Sequence, residues 1–251
     1  MGRLSALVLF FLVVMVAVLA LQAPASWFVH RLTQAAGGSV QVLDAEGTVW
    51  NGRGILASPD GRWKVPVGWH LRAAPLLRGD VELELEPQQG VDTPRGTIRL
   101  SRSGFSARGL VLDVPATILD SAFSGKAPAA FGGALRIEAR ELDVEGGTGR
   151  GGMSVRWERA RLGAADGTSV ALGTVSANFA PRDGMLAGAI RNDGGEVAID
   201  GTMTLSAGGI TLDATLAPRE GASEATARVL GQLGPTDAGG AVHLRWVSER
   251  R

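Results

Sequence analysis

Residues 147–152 read Gly-Thr-Gly-Arg-Gly-Gly, a G-x-G-x-x-G pattern. In a dinucleotide site, that pattern leads from a strand into the helix N-terminus that holds the pyrophosphate. Here an alternating run, Met153-Ser154-Val155-Arg156-Trp157, follows it, so the pattern predicts a hairpin loop and no nucleotide. Glu82, Glu84 and Glu86 place three carboxylates on one strand face. Hard cations want ligands converging from a loop, so the row predicts a solvated face, or pairing with arginines on a neighbouring strand. His30, His70 and His243 have neither H-x-x-H nor H-E-x-x-H spacing, which gives no zinc site. Ser, His and Asp are all present, but no G-x-S-x-G elbow is. Cys and Tyr are absent and Lys64 and Lys126 are the only lysines, so thiolate chemistry is excluded and few groups titrate near neutrality. The expectation is a protein that is not an enzyme and binds no cofactor or metal.

Net charge points the same way. Among 251 residues, Lys+Arg 25 balance Asp+Glu 25, without the cationic excess that displaces counterions from nucleic acid. Gly is 36, about twice the usual roughly 7% share, which predicts many turns in a chain that still folds.

The elements that would position any site begin with residues 4–21, LSALVLFFLVVMVAVLAL, in which Ser5 is the one polar residue. As a helix this segment spans roughly 27 Å, close to a hydrocarbon core. It predicts a single transmembrane helix. A cleaved signal peptide is the alternative, because Ala23-Pro24-Ala25 offers small residues at a cleavage site. The amino group and Arg3 precede the segment, and the first basic groups after it are His30 and Arg31. The positive-inside rule then puts the amino terminus in the cytoplasm and the body in the periplasm of a two-membrane bacterium. The expected organisation is 1–25 as cytoplasmic tip and anchor and 26–251 as a periplasmic domain, with a subdivision near 146–152 left open. Trp27 and Phe28 sit where the chain leaves the membrane, at the depth that aromatic rings favour.

Residues 26–36 predict a short helix ended by Gly37-Gly38. Beyond it the dominant period is two. Val81-Glu82-Leu83-Glu84-Leu85-Glu86 alternates without error, and similar runs occupy 97–101, 135–139, 153–157, 197–200, 203–205, 210–216 and 242–246. Asp60-Gly61, Arg78-Gly79-Asp80, Asp166-Gly167, Asp183-Gly184, 192–195 and Gly208-Gly209 supply turns between them. Residues 115–123, opening on Pro115 and closing before Gly125, predict a helical interlude. The fold class is therefore all-β, mainly antiparallel, a curved sheet or sandwich-like body behind one transmembrane helix.

Two segments carry a family likeness. Gly47-Thr48-Val49-Trp50-Asn51-Gly52, then Val67-Gly68-Trp69-His70-Leu71 with Pro75-Leu76-Leu77-Arg78-Gly79, resemble in order the signature of type II secretion system protein N. Residues 110–119, 194–201 and Leu233-Gly234 extend the resemblance; Asn51 stands where Ser is more usual, and Ala73-Ala74 widens the spacing before Pro75. The resemblance implies a bitopic inner-membrane accessory of the machine that exports folded proteins across the outer membrane. Its partners would be other inner-membrane or periplasmic secretion subunits, and it brings no catalytic residues. Physically, Gly47 and Gly52 permit sharp turns around the Trp50 indole, which is either core or a docking anchor. The candidate docking residues are Gly47, Thr48, Val49, Trp50, Asn51, Gly52, Trp69, Pro75, Leu77 and Gly79. A second reading likens the glycine-rich amphipathic strands to AsmA-type envelope proteins that hold lipid. That reading needs Leu83, Leu85, Ile137 and Ile199 to line an accessible groove, whereas a scaffold needs them in a dry core.

Overall fold

The computed structural model of the chain describes residues 41–88, 90, 92–122, 130–145, 148–164, 167–206 and 209–249. The apolar segment 4–21 and the short helix expected at 26–36 lie outside the described residues. Among the described residues, no helix is long and apolar enough to cross a membrane.

Fourteen strands among these residues form one antiparallel sheet, and they follow each other in chain order: β1 Gln41–Gly47, β2 Asn51–Ala57, β3 Lys64–Arg72, β4 Val81–Glu86, β5 Arg95–Leu100, β6 Gly104–Pro115 and β7 Ala130–Glu145, then β8 Thr148–Gly151, β9 Met153–Gly163, β10 Ser169–Arg182, β11 Met185–Asp193, β12 Val197–Ser206, β13 Gly209–Pro218 and β14 Val242–Glu249. Only β8 leaves this path, turning back on β7 while β9 pairs with β7 directly. The sheet is thus continuous through the glycine-rich stretch, and 148–151 pairs as a strand. Short helices α1 Ala73–Leu76, α2 Ile118–Ala122 and α3 Glu224–Leu233 sit between strands.

Alternation decides which side each residue faces, and register then joins the apolar positions into rows. Leu83 lies opposite Ile98, Ile98 opposite Ala107, and Ala107 opposite Leu142. Farther along, Leu135 faces Trp157, Trp157 faces Val175, and Leu216 faces Val242. Register shifts at Leu43/Glu46, Arg95/Thr97, Gly132/Ala134 and Ala171/Gly173 insert bulges, which bend and twist the strands and curve the apolar face inward. A main core of inward residues runs from Ala107 to Val242, with Leu85 and Ile98 packed on its margin. Val67 and Trp69 form a smaller cluster with Ala45, Leu56, Leu83 and Leu85.

Helix α3 closes one part of this face. Ser223 caps it, its Oγ accepting the Thr226 N–H at 3.3 Å. Thr226, Val229 and Leu230 are buried, and the helix packs on β10, β13 and β14. The strand periodicity extends further than the alternating runs: 197–200 and 203–205 form a single strand, β12, with Gly201 inside it opposite Ala214. Strands β1, β2, β3, β6, β8, β10 and β11 and helix α3 lie outside those runs; glycine interrupts the two-residue period in β2, β6 and β10, whereas β3 keeps it, with Val65, Val67, Trp69 and Leu71 all buried. The helix expected at 115–123 is the single turn α2; Phe123 lies outside the described residues.

Candidate functional site

The two family segments meet at one end of the sheet. Residues 47–52 make the β1–β2 turn, with Gly47 opposite Gly52. Thr48 N–H donates to the Asn51 carbonyl at 2.8 Å, and Asn51 N–H returns a bond to Thr48 Oγ1 at 3.1 Å. Strand β3 then binds the turn: Trp69 Nε1–H donates to the Val49 carbonyl at 3.2 Å, and Leu71 N–H donates to the Trp50 carbonyl at 2.8 Å. Gly52 is required because a Cβ there would collide with the Trp69 ring and come within 2.9 Å of the Glu46 carbonyl. Trp69 and Val49 are buried, whereas Trp50 is half-buried and Asn51 exposed. Most of the glycine-and-tryptophan signature therefore seats an indole.

Chain direction carries β3 straight into the second segment. Pro75 is buried in α1, and its carbonyl accepts from Arg78 N–H at 2.9 Å and Asp80 N–H at 3.1 Å, while Gly79 N–H donates to the Leu76 carbonyl at 3.0 Å. Gly79 adopts φ +83°, a left-handed conformation that favours glycine. The corner is thus held by its own backbone, and it presents Leu77 to solvent at 91% exposure. Leu76 is also exposed, as are Val81 and Leu100, which face each other across β4 and β5 at the same end.

Charges ring this corner. Arg99 donates to Asp80, and that hydrogen bond, with the carboxylate's charge, raises the guanidinium above its ordinary pKa. The Arg102 guanidinium lies over Gly79, 3.5 Å from where a Cβ would stand. Arg78 and Arg102 make no ion pair among the described residues, and with Arg99 and Arg108 they line a cavity of about 240 Å³ whose acids are Asp80, Asp143 and Glu145. A second polar cavity of about 320 Å³ lies on the outward face, where Arg136 is paired with Asp113 and Glu138.

Two carboxylates of the β4 row pair with a neighbouring arginine, Arg72 on β3 reaching Glu82 and Glu84, each at 3.2 Å, while Glu86 is exposed at the strand end. His70 lies on β3 and His243 on β14, where its Nδ1 is 3.0 Å from Thr215 Oγ1; His30 is outside the described residues. No cluster of three metal-ligating groups occurs among the described residues.

A polar hub at the opposite end has no counterpart in the sequence reading. Glu196 accepts from Ser223 Oγ, Thr226 Oγ1 and Ser223 N–H, and these bonds hold its pKa down to about 2. Nearby, the Asn192 amide donates to the Leu172 and Val197 carbonyls at 2.7 Å and accepts from Ile199 N–H at 2.7 Å. Asn192 reads as a turn residue in sequence, yet it stitches β10, β11 and β12 together. The helix itself has a local signal, Ser223-Glu224 before apolar Val229, Leu230 and Leu233.

The family model described as Type II secretion system (T2SS), protein N matches residues 16–245 of the chain. No curated protein and no solved structure matches it.

Proposed function

The chain belongs to the type II secretion system protein N family, and from that premise we propose a membrane-anchored scaffold within the secretion machine. Residues 4–21 hold it in the inner membrane with the amino terminus cytoplasmic, and the β body stands in the periplasm as a surface for other secretion subunits. It catalyses no reaction. The observation that carries the scaffold reading is where the inward leucines and isoleucines go. Leu85 and Ile199 pack on the main core and Leu83 packs with Val67 and Trp69. Ile137 is half-buried, paired with Leu112 and Val155. The two cavities described above are lined mainly by charged and polar groups. Leu83, Leu85, Ile137 and Ile199 are each half-buried against apolar neighbours and line neither of these cavities, and that packing favours the scaffold over a lipid conduit.

Contacts of this kind need no special chemistry. Among the described residues β1 pairs only with β2, and β14 beyond the Val242–Thr236 bridge pairs only with β13, so each leaves a row of backbone groups available to a partner strand. The test is in-cell photo-crosslinking with the reactive residue at Leu43 on β1 or Val247 on β14, both exposed. Adducts with other secretion subunits, absent from cells lacking the rest of the machine, are expected. If neither edge gives such an adduct, the scaffold reading fails.

A further inference from the structure

We propose that the α1 corner is a second membrane contact, in which Leu76, Leu77, Val81 and Leu100 enter the interfacial layer of an anionic bilayer while Arg78 and Arg102 engage its phosphates. The inference rests on the anchored reading above for its proximity to a membrane. It concerns a surface that lies on lipid, distinct from a groove that encloses one.

Three observations converge. First, the corner is rigid: Pro75, Leu76 and Gly79 close it by backbone hydrogen bonds, so the display of Leu77 at 91% exposure is built in by the turn. Leu100, at 52%, and Val81 widen the apolar surface beside it. Four large apolar side chains at one tip form a patch of the kind that marks an interaction site. Second, the charge beside the patch is cationic by one, four arginines against Asp80, Asp143 and Glu145, and two of its arginines make no ion pair among the described residues. Asp80, the acid within the corner, is taken by Arg99, whereas Arg78 and Arg102 have no carboxylate partner among the described residues. Leucines flanked by unpaired arginines suit a surface that offers acyl chains below a layer of phosphates. A protein partner would need its own acids placed to match; a phosphatidylglycerol surface supplies them everywhere. Third, the distances permit it. Gln41 enters the sheet at the end opposite the corner, and β2 and β3, seven and nine residues long, separate the two ends by about 25–30 Å. Residues 22–40, nineteen in all, have an extended reach of about 60 Å, enough for corner and span to meet the same bilayer. Two attachments would fix the orientation of the body, which a single helix leaves free.

The chain contains no cysteine, so one substitution gives one label. Leu77→Cys and, separately, Val13→Cys are labelled with an environment-sensitive fluorophore in the full chain. Each is reconstituted in phosphatidylcholine vesicles with and without phosphatidylglycerol. The expected result is a corner label, at position 77, whose emission shifts to the blue and is quenched by spin-labelled acyl chains only when phosphatidylglycerol is present. Arg78→Gln combined with Arg102→Gln should lower the inserted-to-free ratio about 30-fold, at roughly a kcal/mol per arginine. A corner label that stays aqueous in both vesicle types overturns the proposal. If it is aqueous there but the same thiol is shielded from an impermeant maleimide in spheroplasts, the corner belongs to a protein partner instead, which also overturns it. The label at position 13 reports separately on the anchor: if it is buried while the corner label is aqueous, the anchor stands and the corner contact is removed. An aqueous label at position 13 removes the anchor, and the corner label still decides the corner.

Discussion

Close to α3, β10, β12 and β14 bury inward side chains almost completely, with Val170 and Leu172 at 1% exposure and Val197 and Val242 at 0%, whereas Ile199, Met203 and Leu244 farther along β12 and β14, like Leu83, Leu85 and Ile98 on β4 and β5, remain half-buried. Both regions have the same alternation and the same antiparallel pairing. What differs is the cover: α3 lies on β10, β13 and β14 and drives Val229 and Leu230 into the apolar face. Over β3–β5 the corresponding role falls to one indole, Trp69, seated on the bare backbone of Gly52. A sheet face becomes a core only when a second layer closes it. The part of the sheet that α3 covers is therefore the most completely closed, and the uncovered strands β4 and β5 are more open, with exposed Val81 and Leu100 at their rim.

That contrast can be broken by substitution. The largest effect is expected for Leu172→Ala, about 3 kcal/mol of stability in denaturant unfolding of the full chain, because its site is sealed on all sides. Leu85→Ala, from a half-buried site, should lose about 1 kcal/mol; equal losses at the two positions would remove the distinction. Next in size, Gly52→Ala should cost about 2 kcal/mol, since the new methyl meets the Trp69 ring, and the emission of Trp69 should change with it. Unchanged stability with unchanged fluorescence would show that the indole does not rest on Gly52.

The α3 cover is testable through pH. Glu196 has a folded-state pKa near 2, below its ordinary 4.5, so its contribution is fully present above the ordinary value and is lost as pH falls from about 4.5 through about 2. Glu196→Gln should cost about 1 kcal/mol at neutral pH, allowing for solvent screening, and the gap to the parent chain should close in that acid window. A pH-independent gap would assign the loss to something other than the carboxylate. Smallest of all, Leu77→Ala should leave stability within about 0.5 kcal/mol, as expected of a side chain that touches little. A larger loss would place Leu77 in the core after all.

The sequence was legible where one residue type meant one environment. Val81 to Glu86 alternates perfectly and is a strand with an arginine-paired outer face. Strand β2 was hidden because Gly52 and Gly54 occupy positions where a strand would ordinarily show a larger side chain, and the reason for them is tertiary: they make room for Trp69 and Val42, whereas β3 keeps its alternation through Val65, Val67, Trp69 and Leu71. Among the docking candidates, Gly47, Gly52 and Trp69 proved to be mutually fitted, and Pro75, Leu77 and Gly79 to form one corner at the same end. Arg102 could not have been added from sequence, because only the pairing of β4 with β5 brings it over Gly79. The Glu196 and Asn192 hub was likewise invisible, since its bonds join residues that meet only once β10 to β13 are in register.

Membership in the secretion family makes one demand on the cell. A strain carrying a deletion of this protein, tested for where the folded substrates of its type II machine accumulate, gives the most direct answer. Retention of those substrates in the periplasm, reversed by the full chain, is the expected result; export at the parental level without it would contradict the assignment.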